Sequence, residues 1–318
     1  MNVGRALAAL GVLACLVPPA SPHAQAPSSD LRRYLDALGR LDTKTPSCLD
    51  VARQALVTRF KDGHPDEERA LRAFRHYYLA RMKEQNAVFE MPKVGELLVG
   101  AVMASGPAVD ALKPIEALAR LKGPIGDDLR SRYAAEVELL KRTLRWPFEL
   151  DESEGFWFFN PDAAWLAEAA RQIACPVSDL LIFLRGERPT VVAADAGLRV
   201  GWVDLGQRIV RWDRFARTHP DLPETSADVT PELNRYLSWY LCGLDNSPAY
   251  HRDTRILDSA LRASYKRFVA ENRDSSLWPF VDGLVAVLTR EKFRRTPAVE
   301  QYLSRPDSPS PCRFRQAR

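Results

Sequence analysis

Recognisable catalytic and cofactor motifs are missing from this sequence of 318 residues. It contains no G-x-S-x-G, S-x-x-K, P-loop or G-x-G-x-x-G segment, which argues against hydrolases of those families and against nucleotide chemistry. An excess of one charge is also missing, because 45 basic and 41 acidic residues are mixed along the chain and leave a formal charge of +4. Without a basic stripe, nucleic acid is not an expected partner.

Long hydrophobic runs are missing beyond the first 26 residues, so no later segment is apolar enough to cross a membrane. Residues 1–26 have the pattern of a secretory signal, with Arg5 before an apolar stretch and a small-x-small site that ends at Ala26. We predict cleavage near Ala26 and a periplasmic or secreted protein. The segment that ends at Cys15 also resembles a lipobox, and lipidation of Cys15 would instead make this a membrane-anchored lipoprotein.

Cysteine is scarce, and its spacing indicates disulfides rather than a metal site. Four of the five cysteines remain once the leader is removed, and an even number in an exported chain predicts two disulfides with three alternative pairings. No two of them lie at C-x-x-C spacing and no histidine neighbours them, so we expect no metal and no other cofactor. Cys312 lies in a Pro/Ser-rich tail, and we expect a bond to Cys242 that holds this tail, which leaves Cys48 with Cys175.

Apolar residues recur at spacings of three and four along the chain, which is typical of helices that pack through one face. The fold class is therefore predicted to be mainly α, either a helical bundle or an irregular array of helical hairpins. Helices are expected at 231–242, 255–271 and 277–289 in the second half. The exception is an aromatic-rich stretch near 147–159, which predicts a short β-hairpin.

A segment with glycine and proline at 186–189 is the most natural boundary in the chain. We therefore expect an N-terminal helical region at 27–188 and a C-terminal, repeat-like helical region at 189–304. The Pro/Ser-rich tail follows at 305–318.

Two stretches of the second half match each other. In each, a helix with two aromatic residues three positions apart ends at a polar turn that carries aspartate; the pairs are Trp212 with Phe215 and Tyr265 with Phe268. This pattern resembles the tetratricopeptide-like helical hairpins of bacterial envelope proteins, in which an aromatic-rich helix ends at a Tyr-Pro-Asp-Ser-Pro turn. The resemblance covers residues 198–290. It implies stacked antiparallel helices with a groove for a peptide or protein, and it implies no catalytic residue.

The predicted hairpin combines carboxylates with aromatic residues. Glu152 and Glu154 lie in its turn, and Phe156 and Trp157 follow directly. Aromatic rings beside carboxylates are typical of sugar-binding clefts in which an acid cleaves the glycosidic bond. Glu152-Ser153 is similar to the Glu-Ser of lytic transglycosylases, although the Gly-Leu-Met-Gln segment of that family is absent. The competing interpretation is a solvated acidic turn whose aromatic residues pack into a helical core.

A second candidate binding site is the turn from Gly243 to Pro248, which contains Asp245 and Asn246. These two side chains could hold a ligand or a cation. They are also common turn residues, because Asp and Asn side chains hydrogen-bond to nearby backbone. The turn is therefore explained without a ligand.

These observations favour a non-enzymatic periplasmic protein that binds a peptide, a protein or a cell-wall fragment. The alternative is a peptidoglycan-active glycan hydrolase that uses Glu152 or Glu154. A third hypothesis, an inhibitor or immunity protein, fits an exported helical scaffold equally well. The sequence does not separate it from the first.

Overall fold

The fold is mainly α-helical, as the periodicity predicted. In this computed structural model the described residues are 26–61, 63–105, 113–120, 123–153, 155–187, 191–310 and 312. They form fourteen α-helices, one π-helical turn and three two-stranded antiparallel sheets. The chain divides into two compact units, Met1–Gly186 and Glu187–Arg318, here called the first and second units. We expected a boundary after residue 188, and the division lies two residues before it.

The predicted leader lies almost wholly outside the described residues. Residues 1–25, which include Cys15, are not among them. Cleavage near Ala26 and lipidation therefore stay predictions. Within the described part of the chain, no helix is both long and apolar enough to cross a membrane.

The first unit consists of helices with one β-hairpin inserted before the last two. Its α-helices and strands in chain order are α1 (Ser29–Arg40), α2 (Ser47–Arg59), α3 (Glu67–Phe89), α4 (Pro92–Ser105), α5 (Pro114–Arg120), α6 (Pro124–Arg132), α7 (Ala134–Thr143), β1 (Phe148–Ser153), β2 (Phe156–Pro161), α8 (Ala163–Ala170) and α9 (Pro176–Glu187), whose last residue opens the second unit.

Helix α1 begins after a capping residue, Ser28, whose Oγ accepts a hydrogen bond from the Leu31 N–H at 3.1 Å. The Ser28 N–H donates to Asp66 Oδ2, and Arg69 Nη1 donates to Asp66 Oδ1, both at 2.9 Å. Burial by itself raises the pKa of Asp66, but these hydrogen bonds and the Arg69 charge outweigh it and hold the pKa below its ordinary value. The ionised form of Asp66 therefore stabilises the start of α1.

The predicted aromatic hairpin is present, because β1 and β2 pair as antiparallel neighbours. Two side chains of α3 hold it. Asn86 Oδ1 accepts from the Phe159 N–H at 2.6 Å, and Asn86 Nδ2 donates to the Phe159 carbonyl at 3.1 Å. The Tyr78 hydroxyl donates to the Pro147 carbonyl at 2.6 Å and accepts from the Asp162 N–H at 2.9 Å. These groups satisfy backbone polar atoms that a two-stranded sheet leaves unpaired.

The second unit consists of helices with two very short hairpins between them. Its elements in chain order are β3 (Ala193–Ala194), β4 (Gly197–Leu198), α10 (Trp202–Thr218), a π-helical turn (Thr225–Val229), α11 (Thr230–Cys242), β5 (Gly243–Leu244), β6 (Ser247–Pro248), α12 (Ser259–Glu271), α13 (Trp278–Arg290) and α14 (Pro297–Ser304).

A buried carboxylate joins the two matching stretches of the second unit. Asp213 of α10 is only 3% exposed. It accepts hydrogen bonds from Ser275 Oγ at 2.9 Å and from the Ser276 N–H at 3.1 Å, and it also pairs with Arg217 Nε at 3.2 Å. Asp213, in the helix of the first stretch, therefore fixes the turn that follows α12 in the second stretch.

Helix α12 begins at Ser259, four residues later than the expected 255–271. Arg255 has φ 56°, in the left-handed region that ends helices, and its carbonyl accepts from the Arg295 N–H at 2.8 Å. The helix starts only at the cap Asp258, whose Oδ1 accepts from two backbone N–H groups of the first turn. Pairing with the segment after α13 thus replaces the first helical turn that the periodicity predicted.

The predicted disulfide between Cys242 and Cys312 is present. Its Cα atoms are 5.6 Å apart, and the bond closes a sequence separation of 70 residues. The Cys312 N–H also donates to the Leu303 carbonyl at 3.1 Å. The end of α11, through the disulfide, and the end of α14, through this hydrogen bond, therefore both hold Cys312 in place.

The expected bond between Cys48 and Cys175 is wrong, because both are buried free thiols. The Cys48 thiol lies against Tyr77, whereas the charged residue beside Cys175 is Glu68. Tyr77 and Glu68 both belong to α3 and are 77 − 68 = 9 positions apart, about 13 Å along the helix axis. A disulfide needs Cα atoms within about 7 Å. The two thiols therefore contact different levels of α3 and cannot pair. An even number of cysteines does not by itself imply that all of them form disulfides.

Candidate functional site

Glu152, one of the two predicted catalytic carboxylates, lies near the end of β1 and pairs with Trp157 of β2, and not in the turn where the sequence placed it; Glu154 lies outside the described residues. Glu152 Oε1 accepts a hydrogen bond from the Gly155 N–H at 2.6 Å. Asp151, the neighbouring carboxylate, accepts from the Glu152 N–H at 2.8 Å and from Asn160 Nδ2 at 3.0 Å. Both described carboxylates therefore serve the hairpin's own hydrogen bonds.

The two predicted binding aromatics of this hairpin have different surroundings. Phe156 is 73% exposed, whereas Trp157 is 8% exposed. The Trp157 ring packs into an apolar core and presents little surface to a ligand. The competing interpretation, in which the aromatic residue fills a core, therefore holds for Trp157. The buried core residues around Trp157 come from α4 and α7: Val94, Leu97, Leu98, Ala101, Val137 and Leu140.

Asn246, predicted as a binding residue, has a structural role in the second unit. Its N–H donates to the Ala196 carbonyl at 2.9 Å, and its Nδ2 donates to the Asp195 carbonyl at 2.5 Å. Asp195 and Ala196 form the turn between β3 and β4 with φ 50° and 53°, which is costly for residues other than glycine. Asn246 therefore fastens a strained turn, and only its neighbour Asp245 stays available to a ligand.

Asp245 lines a cleft of about 300 Å³ in the second unit, beside the Cys242–Cys312 disulfide. The lining is mostly polar. It is formed by the end of α11, the β5–β6 hairpin, the loop that follows this hairpin, and the segment after α13. We call this space the disulfide cleft, and its other polar side chains are Tyr250, Arg252 and Arg295.

Tyr250 contributes a hydroxyl group that lacks a partner. The residue is 8% exposed and its backbone pairs with Leu257. Within the described residues the hydroxyl makes no hydrogen bond, although the side chain lines the disulfide cleft. Burial raises the pKa of Tyr250; Arg295 lowers it and Glu300 raises it, but burial dominates. The phenol therefore keeps its proton at neutral pH and can donate it to a hydrogen-bond acceptor in the cleft.

Three arginines lie at or near the disulfide cleft, and a single carboxylate, Glu300, forms ion pairs with two of them. Arg295 Nε lies 2.7 Å and Arg255 Nη2 lies 3.0 Å from the same oxygen of Glu300. Arg252 is exposed, and its Nη2 lies 3.4 Å from the backbone carbonyl of Asp245. No carboxylate in the described part of the chain forms an ion pair with Arg252. The cleft therefore favours a ligand with negative charge.

The sequence pointed to Asp245, with Tyr250 close to it in the chain, but missed Arg252 and Arg295 as residues of the disulfide cleft. Tyr250 and Arg252 are two positions apart in the loop directly after β6, so an extended segment would place both on one side. That spacing was the available signal. Arg295 follows α13, and no spacing relates it to the other two, because only the packing of α13 against its neighbours brings it there.

Comparisons of this chain with protein families, with curated proteins and with solved structures find no match. The resemblance to tetratricopeptide-like hairpins thus stays a prediction. Among the described residues, no group of three or more His, Cys, Asp and Glu side chains is placed to hold a metal ion. The disulfide cleft is therefore the candidate site on which a function can be argued.

Proposed function

We propose that this protein is an exported, periplasmic helical protein that binds a peptide, a protein or a cell-wall fragment, and that it is not an enzyme. The observation that supports this most is the disulfide cleft. Its volume of about 300 Å³ is at the lower end of the range of ligand sites, about 300–1,000 Å³. Its lining combines donors with one exposed carboxylate, which is a binding surface and not a recognisable catalytic pair.

The disulfide beside the cleft agrees with an exported protein. Disulfides persist in the oxidising periplasm and outside the cell, and are rare in the cytosol. The bond between Cys242 and Cys312 holds the wall of the cleft, so the binding site would form fully only after export. Amino-terminal sequencing of the protein from a periplasmic fraction should begin at Pro27.

The alternative function is a glycan hydrolase that uses Glu152 or Glu154, and no observation favours it. The common mechanism of glycosidic hydrolysis uses two carboxyl groups, one on either side of the bond. Glu152 closes its own turn, and its neighbour Asp151 is bonded to the opposite strand. An inhibitor or immunity protein would bind another protein and is included in the binding function.

The first test titrates the mature protein with soluble peptidoglycan fragments and measures binding by calorimetry. The second is a peptidoglycan zymogram, which measures hydrolysis. We expect saturable binding and no clearing of the gel. Asp245→Trp should abolish binding, because the indole fills the cleft from an exposed position. The matched control is Asp253→Trp, which adds the same ring to an exposed residue that does not line the cleft.

Two results would contradict the proposal. Clearing that is lost in both Glu152→Gln and Glu154→Gln would identify the hydrolase instead. Binding that is equal in the Asp245→Trp and Asp253→Trp variants would place the ligand elsewhere on the molecule. A lack of binding to peptidoglycan fragments and to a peptide mixture would leave only a protein ligand.

A further inference from the structure

We propose that the disulfide cleft recognises a free carboxylate, which accepts hydrogen bonds from Tyr250 and Arg252. This inference rests on the proposed binding function and names the chemical class of its ligand. Three observations carry it: a phenol hydroxyl that faces the cleft and has no hydrogen bond to a described residue, an arginine without a carboxylate, and a local excess of positive charge.

The Tyr250 hydroxyl is the first observation. A hydroxyl that faces a cleft without a partner in the protein is free to bond to a ligand there. Tyr250 is 8% exposed and has no hydrogen bond to a described residue, yet its side chain lines the cleft. Because burial keeps the phenol protonated, the hydroxyl can donate a hydrogen bond to an acceptor in the cleft. A carboxylate oxygen is such an acceptor.

Arg252 is the second observation. Its planar guanidinium carries five N–H donors in a geometry that matches the two oxygens of a carboxylate. It uses a single long contact, 3.4 Å to the Asp245 carbonyl, and has no ion pair within the described residues. It is also exposed, so it can reorient toward a ligand without breaking packing. A two-point contact of this kind is stronger than a neutral hydrogen bond.

The charge balance is the third observation. Glu300 pairs with both Arg295 and Arg255, so one negative charge faces two positive charges before Arg252 is counted. Asp245 lines the same cleft and acts in the opposite direction. With Glu300 and Asp245 both counted, three arginines stand against two carboxylates, and this excess of one positive charge favours an anionic group near Arg252 and Tyr250.

The carboxylate can come from the end of a peptide chain or from an acidic side chain. The experiment separates these sources with three probes: trialanine with a free carboxylate, trialanine amide, and acetyl-Ala-Glu-Ala amide. Each is titrated into the mature protein at low salt and again at high salt, with calorimetry and protein-observed NMR. We expect trialanine to bind about tenfold or more tightly than its amide, with weaker binding at high salt.

Variants then assign the contact. Tyr250→Phe keeps the ring and removes the hydroxyl, and Arg252→Gln removes the charge; each should reduce the affinity for trialanine toward that of its amide. Asp245→Asn should increase the affinity, because it removes a repulsive charge. Arg235→Gln is the matched control, since Arg235 is an exposed arginine of α11 outside the cleft lining and should have no effect. Circular dichroism checks that every variant keeps its helices.

The outcomes separate the inference from the proposed function. If the glutamate peptide binds as trialanine does and is equally sensitive to the variants, a side-chain carboxylate is recognised and the inference stands. If the amide binds as well as the free acid, or if Tyr250→Phe and Arg252→Gln change nothing, the inference is overturned while a binding protein remains. If none of the three peptides binds, the inference also fails. The proposed function fails with it only if peptidoglycan fragments and proteins do not bind either.

Discussion

The exchange of Gly206 for alanine sets two opposite effects against each other. In the interior of an ordinary helix, alanine is more favourable than glycine by about 1 kcal/mol. Gly206, however, lies in α10 where the helix approaches two other side chains closely. A Cβ atom at Gly206 would lie 2.9 Å from Tyr240 Oη and 3.2 Å from Ser264 Oγ. Real Cβ atoms do not tolerate the first of these distances.

The neighbours of Gly206 cannot move without loss. The Tyr240 and Ser264 hydroxyls are 2.7 Å apart, and Ser264 Oγ donates to the Trp202 carbonyl at 2.8 Å, so Tyr240 is the donor to Ser264. Tyr240 is fully buried. Overpacking costs about 1–3 kcal/mol and a buried hydrogen bond that is broken costs about 1–3 kcal/mol. Against a gain of about 1 kcal/mol, we expect Gly206→Ala to lower the free energy of unfolding by about 3 kcal/mol.

Equilibrium urea unfolding followed by circular dichroism measures this change. The matched control is Gly95→Ala in α4, where no atom lies within 4 Å of the new Cβ, and it should be neutral or stabilising by up to about 1 kcal/mol. In a Tyr240→Phe background the closest atom is gone, so Gly206→Ala should cost less than in the wild type. A Gly206→Ala protein as stable as the Gly95→Ala protein would refute the close packing of α10 against Tyr240.

Three further predictions concern the cysteines and the acid limb. Cys312→Ser opens a loop of 70 residues and should lower the free energy of unfolding by about 4 kcal/mol, measured by urea unfolding without reductant; an unchanged midpoint would contradict it. In unreduced mature protein, a thiol reagent should find two thiols, Cys48 and Cys175, only after unfolding, because both are buried and burial raises the pKa of each; no thiols under denaturant would mean a second disulfide. The pKa of Asp66 is lower in the folded than in the unfolded protein, so its stabilisation is complete above the unfolded pKa and is lost as the pH falls through the folded pKa. The Asp66→Asn variant should therefore have a lower free energy of unfolding at neutral pH and lose less of it in acid. The same decrease with falling pH in both proteins would count against this.

Much of the helical architecture was predictable, because periodicity reports which face of a segment is buried. Helix α10 is an example, since its apolar residues at spacings of three and four are buried in the structure. The start of α12 was not predictable in the same way. Residues before Ser259 fit the helical pattern, but they pair with the segment after α13, and a partner distant in the chain leaves no periodic signal.

The candidate site was predictable only in part. Asp245 was noted because Asp-Asn pairs mark turns, and the same turn chemistry explains why Asn246 is bonded to the strained turn of β3 and β4. A sequence does not show whether the Tyr250 hydroxyl has a hydrogen-bond partner, because that depends on which residues the fold places beside it. Trp157 shows the converse, since an aromatic residue beside carboxylates has the same letters whether it binds a sugar or fills a core.

The amino-acid sequence alone determined the helical class and the aromatic hairpin, because these follow from local periodicity and β propensity, and it favoured the link between Cys242 and Cys312 because a loose tail has to be held. Only the tertiary structure decided that Cys48 and Cys175 stay apart and that Tyr250, Arg252 and Arg295 share one cleft. The physical reason is the same in each case. Distances between residues far apart in the chain are set by how helices pack, and packing is a property of all the side chains together.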